Sequence, residues 1–219
     1  MKPIPKISIC IPFHWMDNWQ FFLNRCLESI RSQSFKDYEI VLMNVGSMPV
    51  TSNRVMDSAK GELVKVLYMD DYLAHPDALK NIVENFTEGT AWLVTGCLHQ
   101  SDKREFSVIE DMPEYAQEKP HSPHLPRYTK EIRNGVNTIG SPSVLTVRNS
   151  LHLLFDENMS WLLDCELYER YYHTYGAPKI LDDLNVVIGV GSHQMTHILT
   201  DSQKQAESIY LQNKLQEPA

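Results

Sequence analysis

The spacing of the first two apolar runs limits the folds that the chain can adopt more than any other feature. Residues 7–11 form a β-branched run ended by proline, and residues 38–43 form a second run of strand type. Between them, apolar residues recur at helical spacing over 22–30, after a candidate N-cap at Asp17 or Asn18. A strand, a helix-length link and a strand predict a βαβ unit with parallel pairing.

The same alternation continues to the end of the chain and predicts an α/β fold. Residues 101–134 differ, because they are polar, contain four prolines and show weak periodicity, so we expect a long surface excursion there. Residues 201–215 are polar and weakly helical, which is typical of a covering helix or a tail. Further strands are predicted at 62–69, 91–98, 143–147 and 186–190, and further helices at 53–60, 77–86 and 161–172.

Composition narrows the class of protein. The chain has 219 residues, and at roughly 150 residues per domain this favours one elaborated domain. A net charge of −8 argues against binding to nucleic acid or to an anionic membrane. The four cysteines lack CxxC spacing and lie in apolar segments, which fits a reducing cytosol. The sequence shows neither a signal-peptide core nor an apolar run long enough for a transmembrane anchor.

Two adjacent aspartates, Asp70 and Asp71, directly follow the predicted strand 62–69. Ligands of open α/β sheets bind beyond the carboxyl ends of the strands, so this pair is a candidate site. Neighbouring carboxylates repel each other unless a cation or a proton relieves them, and Mg²⁺ and Mn²⁺ take oxygen ligands. By itself the pair is equally compatible with a solvated turn or cap before the next helix.

The order of these elements resembles the GT-A glycosyltransferases, specifically the large family 2. In that family the first strand ends in a proline-aromatic-polar loop, which here is Pro12, Phe13 and His14. The following helix contains the similar Cys-Leu-x-Ser-Ile-x-x-Gln pattern at residues 26–33. The Gly-Ser pair at residues 46–47 matches the end of the family's Asp-Asp-Gly-Ser motif.

Later matches extend the resemblance over residues 7–196. They are Asn53, the Ala-Lys-Gly-Glu run at 59–62, the aspartate pair with Pro76 beyond it, and an acidic motif at 161–170. The resemblance implies a compact variant of the GT-A (Rossmann-like) fold, with a mixed, mainly parallel sheet flanked by helices. We expect a single domain over 1–219, divided into a nucleotide-sugar-binding half (1–100), an acceptor-binding half (101–200) and a C-terminal helix or tail (201–219).

The resemblance also implies an activity. It predicts an inverting, metal-dependent glycosyltransferase of hexosyltransferase type, which moves a sugar from a nucleoside-diphosphate donor to a hydroxyl of a saccharide or glycolipid. A UDP-sugar is the favoured donor. Since the protein is acidic, the donor diphosphate needs a cation, and Mn²⁺ or Mg²⁺ on Asp71, with Asp70 near the ribose or the metal, would supply it. We expect a cytoplasmic enzyme.

An inverting transfer needs a base that takes the proton of the acceptor hydroxyl. Asp164 stands at the position of this base in the resembling motif, and Glu166 is the nearest substitute, although it lies on another helical face. The alternative is that Asp164 is an ordinary helical carboxylate that faces Arg170 or solvent.

The loop at Pro12, Phe13 and His14 matches the segment that holds the nucleobase in the family. Asn44 stands where the family has an aspartate, so its amide would bond a uracil imide without a charge. Asn53 falls at the family's spacing as a further donor contact.

Three departures from the family affect the donor half. Only five residues separate Ser47 from Asn53, which abbreviates this half. Tyr68 replaces the first acidic residue of the Asp-x-Asp-Asp form. Ser52 stands where an arginine often precedes the asparagine, so Arg54 is expected to take over the phosphate contact.

Two histidines, His193 and His197, follow the last predicted strand and resemble the closing polar loop of the family. His193 is a candidate to complete the metal shell or to touch the diphosphate. Their i, i+4 spacing would suit a metal on a helix, but the run lies in a predicted loop, where unliganded surface histidines are common. His121 and His124 lie in the excursion and are expected to be solvated.

Two other functions stay open from the residues. One is a catalytically inactive protein of the same fold that binds sugar nucleotides or a partner, and the other is a phosphate-handling hydrolase or nucleotidyltransferase. The first strand is not followed by an aspartyl nucleophile, which disfavours the hydrolase, and the presence of Asp164 disfavours the inactive binder. The oligomeric state is left open by the sequence.

Overall fold

A computed structural model describes residues 3–101 and 121–216, and within these ranges the chain forms one mixed sheet with flanking helices. The strands are β1 (Ile7–Pro12), β2 (Tyr38–Met43), β3 (Leu63–Val66), β4 (Tyr72–Leu73), β5 (Trp92–Ser101), β6 (His121–His124), β7 (Leu145–Arg148) and β8 (Lys179–Val190). The helices are α1 (Trp19–Arg31), α2 (Met48–Asp57), α3 (Ala78–Asn85), α4 (Leu163–Tyr175), α5 (Met195–Ile198) and α6 (Asp201–Gln216).

The sheet order is β2-β1-β3-β7-β5-β8-β4, with β6 added to β5. The strand β1 pairs in parallel with both β2 and β3, and β5 pairs in parallel with β8. The pairs β3–β7, β5–β7, β5–β6 and β4–β8 are antiparallel. The predicted βαβ unit and the predicted mixed α/β class are therefore confirmed.

The core lies along the central strands. Every residue of β1 and β3 is buried, and α1 buries Phe22, Leu23, Cys26 and Ile30 at helical spacing. The four cysteines are buried free thiols, as their apolar surroundings predict. Among the described residues no helix is both long and apolar enough to cross a membrane.

The Ser and Gln of the α1 motif fix the chain that follows the aspartate pair. The Ser29 hydroxyl accepts a hydrogen bond of 3.1 Å from the Leu73 amide. The Gln33 side chain donates to the His75 carbonyl and accepts from the Leu79 amide, both at 2.9 Å. The motif therefore ties α1 to the segment between β3 and α3.

Several predicted element boundaries are wrong. The strand predicted at 62–69 ends at Val66, so three residues separate it from the aspartate pair, which lies in a turn. The helix predicted at 53–60 begins at Met48 and ends at Asp57, because Pro49 occupies its first turn, where proline lacks only an amide that would be unpaired anyway. The last strand begins at Lys179 rather than at residue 186, since a register shift against β5 accommodates the polar stretch before it.

The excursion predicted at 101–134 is partly regular. His121–His124 forms β6, and Lys130–Asn134 forms a 3-10 helix, while residues 102–120 of the predicted excursion lie outside the described residues. The histidines His121 and His124 therefore sit on a strand, and the His124 ring lies 3.2 Å from the Ile139 carbonyl oxygen.

The C-terminal segment is a covering helix rather than a tail. Leu211 of α6 is buried in the core, and the Glu207 carboxylate accepts the amides of residues 160–162 just before α4. Lys214 pairs with Asp156 and Glu166. The helix α6 therefore holds the start of α4 in place.

Candidate active site

The two aspartates after β3 have different surroundings. The Asp71 carboxyl is 2% exposed and accepts hydrogen bonds from the Gly189 amide at 2.8 Å and the Ser141 hydroxyl at 3.3 Å. The Asp70 carboxylate is 17% exposed, and its Oδ2 lies 2.8 Å from Nε2 of His193. The structure therefore directs Asp71 into the protein and Asp70 towards the open edge of the sheet.

Buried charges lie directly beneath this turn. Burial and repulsion by Asp70 both raise the pKa of Asp71. Lys65 of β3 is fully buried, donates to the Ser143 and Leu145 carbonyls, and has its pKa lowered by burial to about 7. The Asp71 side chain thus belongs to a buried polar cluster of the sheet.

Arg25 of α1 fixes the backbone of the aspartate turn. Its Nη2 donates to the Asp70 carbonyl at 2.7 Å, and its Nη1 donates to Oε1 of Gln100 at 3.1 Å. The guanidinium also lies over the Tyr72 ring, 4.7 Å from the centroid. The turn is therefore held from one side by Arg25 and from the other by the Gly189 amide.

The structure places His193 beside Asp70 and His197 elsewhere, while the predicted role of His193 at a metal or diphosphate stays a prediction. The His193 ring lies beside Asp70 and 5.4 Å from the Phe22 ring of α1. His197 is exposed on α5, which begins only after His193, so the two histidines do not share a helical face. In the described part of the chain no three His, Cys, Asp or Glu side chains converge as a metal cluster.

Asp164 lies in the first turn of α4 and is oriented by protein donors. Its Oδ2 accepts from Nδ2 of Asn137 at 2.6 Å, and its Oδ1 accepts from the Cys165 amide at 2.7 Å. Burial raises the pKa of Asp164 to about 6, against the lowering effect of these hydrogen bonds. The carboxylate is therefore ionised at neutral pH and still basic enough to accept a proton.

The contacts oppose two readings of this region: that Asp164 faces Arg170, and that Glu166 replaces it as the base. Arg170 pairs with Glu166, at 2.6 Å from Oε1, and not with Asp164. Glu166 is fully buried and also pairs with Lys214 at 2.8 Å. With both cations on its carboxylate, Glu166 is a structural residue of α4 and cannot reach an acceptor.

A single stretch of chain connects Asp164 to the aspartate turn. Asn137, which donates to Asp164, also donates to the Gly140 carbonyl, and Ser141 donates to Asp71. The Tyr168 hydroxyl of α4 donates to the Gly140 and Ser141 carbonyls, both at 3.1 Å. The segment 137–141 therefore positions the two carboxyl groups relative to each other.

Unpaired polar atoms mark the ends of β1 and β2. Nδ1 of His14, after β1, and Nδ2 of Asn44, after β2, are buried without a hydrogen-bond partner among the described residues, as are Nε of Arg25 and the Thr146 hydroxyl elsewhere. Burial lowers the pKa of His14, so its ring is neutral and can donate or accept. Because buried polar groups are nearly always paired, the His14 and Asn44 atoms indicate a polar ligand at this edge.

An aromatic cluster surrounds the loop after Pro12. The Phe13 ring lies 5.5 Å from the Trp15 ring and 6.1 Å from the Trp19 ring. Trp15 is 66% exposed and stands edge-on to Trp19 at 4.5 Å. Sequence reasoning selected Phe13 and missed Trp15, although a tryptophan in a loop after a strand end was a usable signal.

Asn53 has a structural role instead of the predicted donor contact. Its Nδ2 donates to the Phe155 carbonyl and to Oε1 of Glu157, both at 3.0 Å, and its Oδ1 accepts from the Phe155 amide at 2.7 Å. Both amide N–H groups are therefore used in joining α2 to the segment before α4. Arg54 is exposed on α2, and its phosphate contact stays a prediction.

No protein-family model matches the chain, but individual proteins do. The GalNAc(5)-diNAcBac-PP-undecaprenol beta-1,3-glucosyltransferase of Campylobacter jejuni is 27% identical over 136 residues, which are 48% of this chain and 43% of the relative. The chain therefore spans less than half the length of this curated relative.

Two solved structures are similar over nearly all of this chain. TarS from S. aureus in complex with UDP-GlcNAc has a TM-score of 0.62 and 15% identity, over 94% of this chain and 65% of TarS. The mannosyltransferase PcManGT from Pyrobaculum calidifontis, in complex with GDP-Man and Mn²⁺, has a TM-score of 0.58 and 11% identity, over 100% of this chain and 66% of PcManGT.

These comparisons confirm the resemblance to GT-A glycosyltransferases and the predicted fold class. The chain has the fold of two glycosyltransferases and sequence similarity to a third.

Proposed function

We propose that this chain forms the transferase domain of an inverting, metal-dependent glycosyltransferase that moves a sugar from a UDP-sugar to a hydroxyl of a saccharide or glycolipid. One observation supports it most strongly. The Asp70–His193 pair lies at the carboxyl edge of the sheet, and the segment 137–141 connects this edge to the oriented carboxylate of Asp164.

The unpaired atoms after β1 and β2 fit the nucleobase. Nδ2 of Asn44 would donate to a uracil carbonyl, and the neutral His14 ring would bond the base or the ribose. The cluster of Phe13 and Trp15 supplies an apolar face beside them. UDP-GlcNAc in the TarS complex is the donor chemistry that these residues would accept.

Asp70 and His193 are the residues that would hold the metal ion. Their oxygen and nitrogen lie 2.8 Å apart, and both side chains are partly exposed, whereas Asp71 is already bonded to protein donors. A carboxylate with an imidazole favours Mn²⁺ over Mg²⁺, which prefers oxygen ligands and water. When bound, the ion neutralises the donor diphosphate. We therefore assign Asp71, the metal ligand expected from the sequence, a supporting role beneath Asp70.

Asp164 would act as the general base. It takes the proton of the acceptor hydroxyl while the acceptor oxygen bonds to the anomeric carbon and the bond from that carbon to the diphosphate breaks. Displacement from the face opposite the leaving group inverts the anomeric centre. Asn137 and the Cys165 amide hold the carboxylate in one orientation for this step.

The pH dependence of kcat tests the base. The pKa of Asp164, about 6, predicts that kcat falls as pH drops below 6, because the protonated carboxyl cannot accept a proton. The Asn137 amide stabilises the ionised form, so Asn137→Ala should raise this pKa and move the acid limb to higher pH. A profile of kcat against pH for both proteins, with Asn213→Ala on α6 as the control, measures the shift. An unchanged limb in Asn137→Ala would contradict the assignment.

Gly189 tests the close packing under the metal site. A Cβ added there would lie 2.5 Å from the Asp70 carbonyl oxygen, so Gly189→Ala must displace the aspartate turn. We expect a loss of about 1–3 kcal/mol in the free energy of unfolding, together with weaker Mn²⁺-dependent UDP binding. Gly89→Ala is the control for UDP binding, because a Cβ there meets nothing within 4 Å; its φ of +81° disfavours alanine, so this variant should lose stability without losing UDP binding. UDP binding by Gly189→Ala equal to that of Gly89→Ala would show that the turn is not part of the site.

The release of UDP tests the activity itself. The chain is incubated with UDP-glucose or UDP-GlcNAc and a mixture of oligosaccharide acceptors, with Mn²⁺ or with a chelator. The proposal predicts Mn²⁺-dependent UDP release that increases with acceptor. Tight UDP binding without any release would instead support the inactive binder of the same fold.

A further inference from the structure

A cavity of about 400 Å³ lies away from the donor edge, between α4 and the segment 128–133. Its walls include Tyr128, Lys130, Arg133, Tyr172 and His173. The Tyr128 and Tyr172 rings are parallel, with centroids 3.7 Å apart, and form one aromatic side of the cavity. Neither the donor site nor the proposed base uses these residues.

The cavity is cationic although the protein is acidic. Glu169, at its base, is almost fully buried, and its carboxylate is occupied by the Tyr128 hydroxyl, by Arg133 at 2.8 Å and by His173 at 2.9 Å. Lys130 is exposed and has no ion pair within residues 3–101 and 121–216. Among the lining residues, Lys130 and Arg133 face one carboxylate, so the lining carries an excess of positive charge, although Glu131 lies between them in the chain and outside the lining. Such a local excess attracts an anionic ligand.

The cavity is also connected to the proposed base. The segment that lines it runs on to Asn137, and the Arg127 amide donates to the Thr138 carbonyl, which closes the segment into a compact loop. Asn137 then donates to Asp164. Along α4, Tyr172 lies eight residues from Asp164, about 12 Å at 1.5 Å per residue. A short oligosaccharide can span this distance.

We propose that this cavity is a remote acceptor subsite that binds an anionic group, a carboxylate or a phosphate, of the saccharide chain whose end is presented to Asp164. Lys130 and Arg133 contact the anion, and the exposed face of Tyr172 packs against a sugar ring. This inference rests on the proposed transferase function, because only an acceptor would need to reach both places.

Direct binding tests the subsite without turnover. The probes are an oligosaccharide of alternating glucuronic acid and N-acetylglucosamine, its carboxyl-reduced neutral form, and a glycerol-phosphate oligomer. Wild type should bind an anionic probe about tenfold more tightly than the neutral one. Lys130→Glu should lose this preference, whereas Lys80→Glu, an equivalent change of an exposed lysine on α3, should keep it. Preference for the acid or for the phosphate oligomer would identify the anion.

Two results would overturn the subsite. One is equal affinity of wild type for the charged and neutral probes, and the other is equal behaviour of the Lys130→Glu and Lys80→Glu variants. Titration of UDP with Mn²⁺ on the same samples separates this failure from that of the proposed function. If UDP binds and the anionic probes do not, the proposed subsite is contradicted and the proposed transferase function is retained. If the anionic probes bind in a Lys130-dependent way but UDP does not bind, the cavity is an anion site, and the proposal that it binds the acceptor of a transferase is contradicted.

Discussion

Replacing Asp164 by asparagine is expected to lower kcat by about 10²- to 10⁴-fold, the contribution of a well-placed general base. The asparagine keeps the size of the side chain and can still accept the Asn137 amide through its carbonyl oxygen, so the site should stay folded. What it loses is the ability to take the acceptor proton. Steady-state UDP release with saturating donor and acceptor measures this loss.

The control for Asp164 is Asp201→Asn, which removes an exposed carboxylate in the first turn of α6. This variant should have wild-type kcat. Both variants should bind UDP with Mn²⁺ as tightly as wild type, because the metal is proposed on Asp70 and His193, whereas Asp164 is bonded to Asn137 and Asp201 is exposed on α6. A kcat for Asp164→Asn close to that of Asp201→Asn would exclude Asp164 as the base.

Replacing Asp70 by asparagine is expected to weaken Mn²⁺-dependent UDP binding by about 100-fold or more, since even supporting residues of a metal site contribute 10- to 100-fold. The amide is a poorer ligand than the carboxylate and removes the negative charge that attracts the cation. His193→Ala should weaken binding less, by about tenfold, because Asp70 remains. Calorimetric titration of UDP at several Mn²⁺ concentrations measures both effects.

Asp71→Asn separates the two aspartates. It should lower the free energy of unfolding, because Asp71 is buried on the Gly189 amide and the Ser141 hydroxyl, while UDP binding by the folded protein changes less than in Asp70→Asn. Asp77→Asn, an exposed change in the same part of the chain, should have no effect on binding. If Asp71→Asn abolishes Mn²⁺ dependence while Asp70→Asn keeps it, the ligand expected from the sequence is the correct one.

Much of the fold could be predicted from local patterns. The first two strands and α1 have clear patterns, so their parallel pairing follows from spacing alone, whereas the strand before the aspartate pair ends three residues earlier than predicted. The α1 motif was recognised by its residues, but its physical role became visible only when Ser29 was found bonded to Leu73 of β4 and Gln33 to His75 beyond it.

The different roles of the site residues depend on contacts between distant parts of the chain. No local pattern distinguishes Asp71 from Asp70. The buried Asp71 carboxyl is paired with the amide of Gly189, 118 residues later in the chain. Asn53 is likewise occupied by residues 155–157. The cavity beside α4 escaped prediction because its walls come from a polar segment with weak periodicity and from the outer side of a helix.

The most direct test of the account is calorimetric titration of UDP and GDP, each with and without Mn²⁺, against wild type and Asp70→Asn. The account predicts that UDP binds wild type in the presence of Mn²⁺, that GDP binds more weakly, and that the Mn²⁺-dependent binding is lost in Asp70→Asn. Absence of binding by both nucleotides under every metal condition would contradict the donor site and leave only the shared fold.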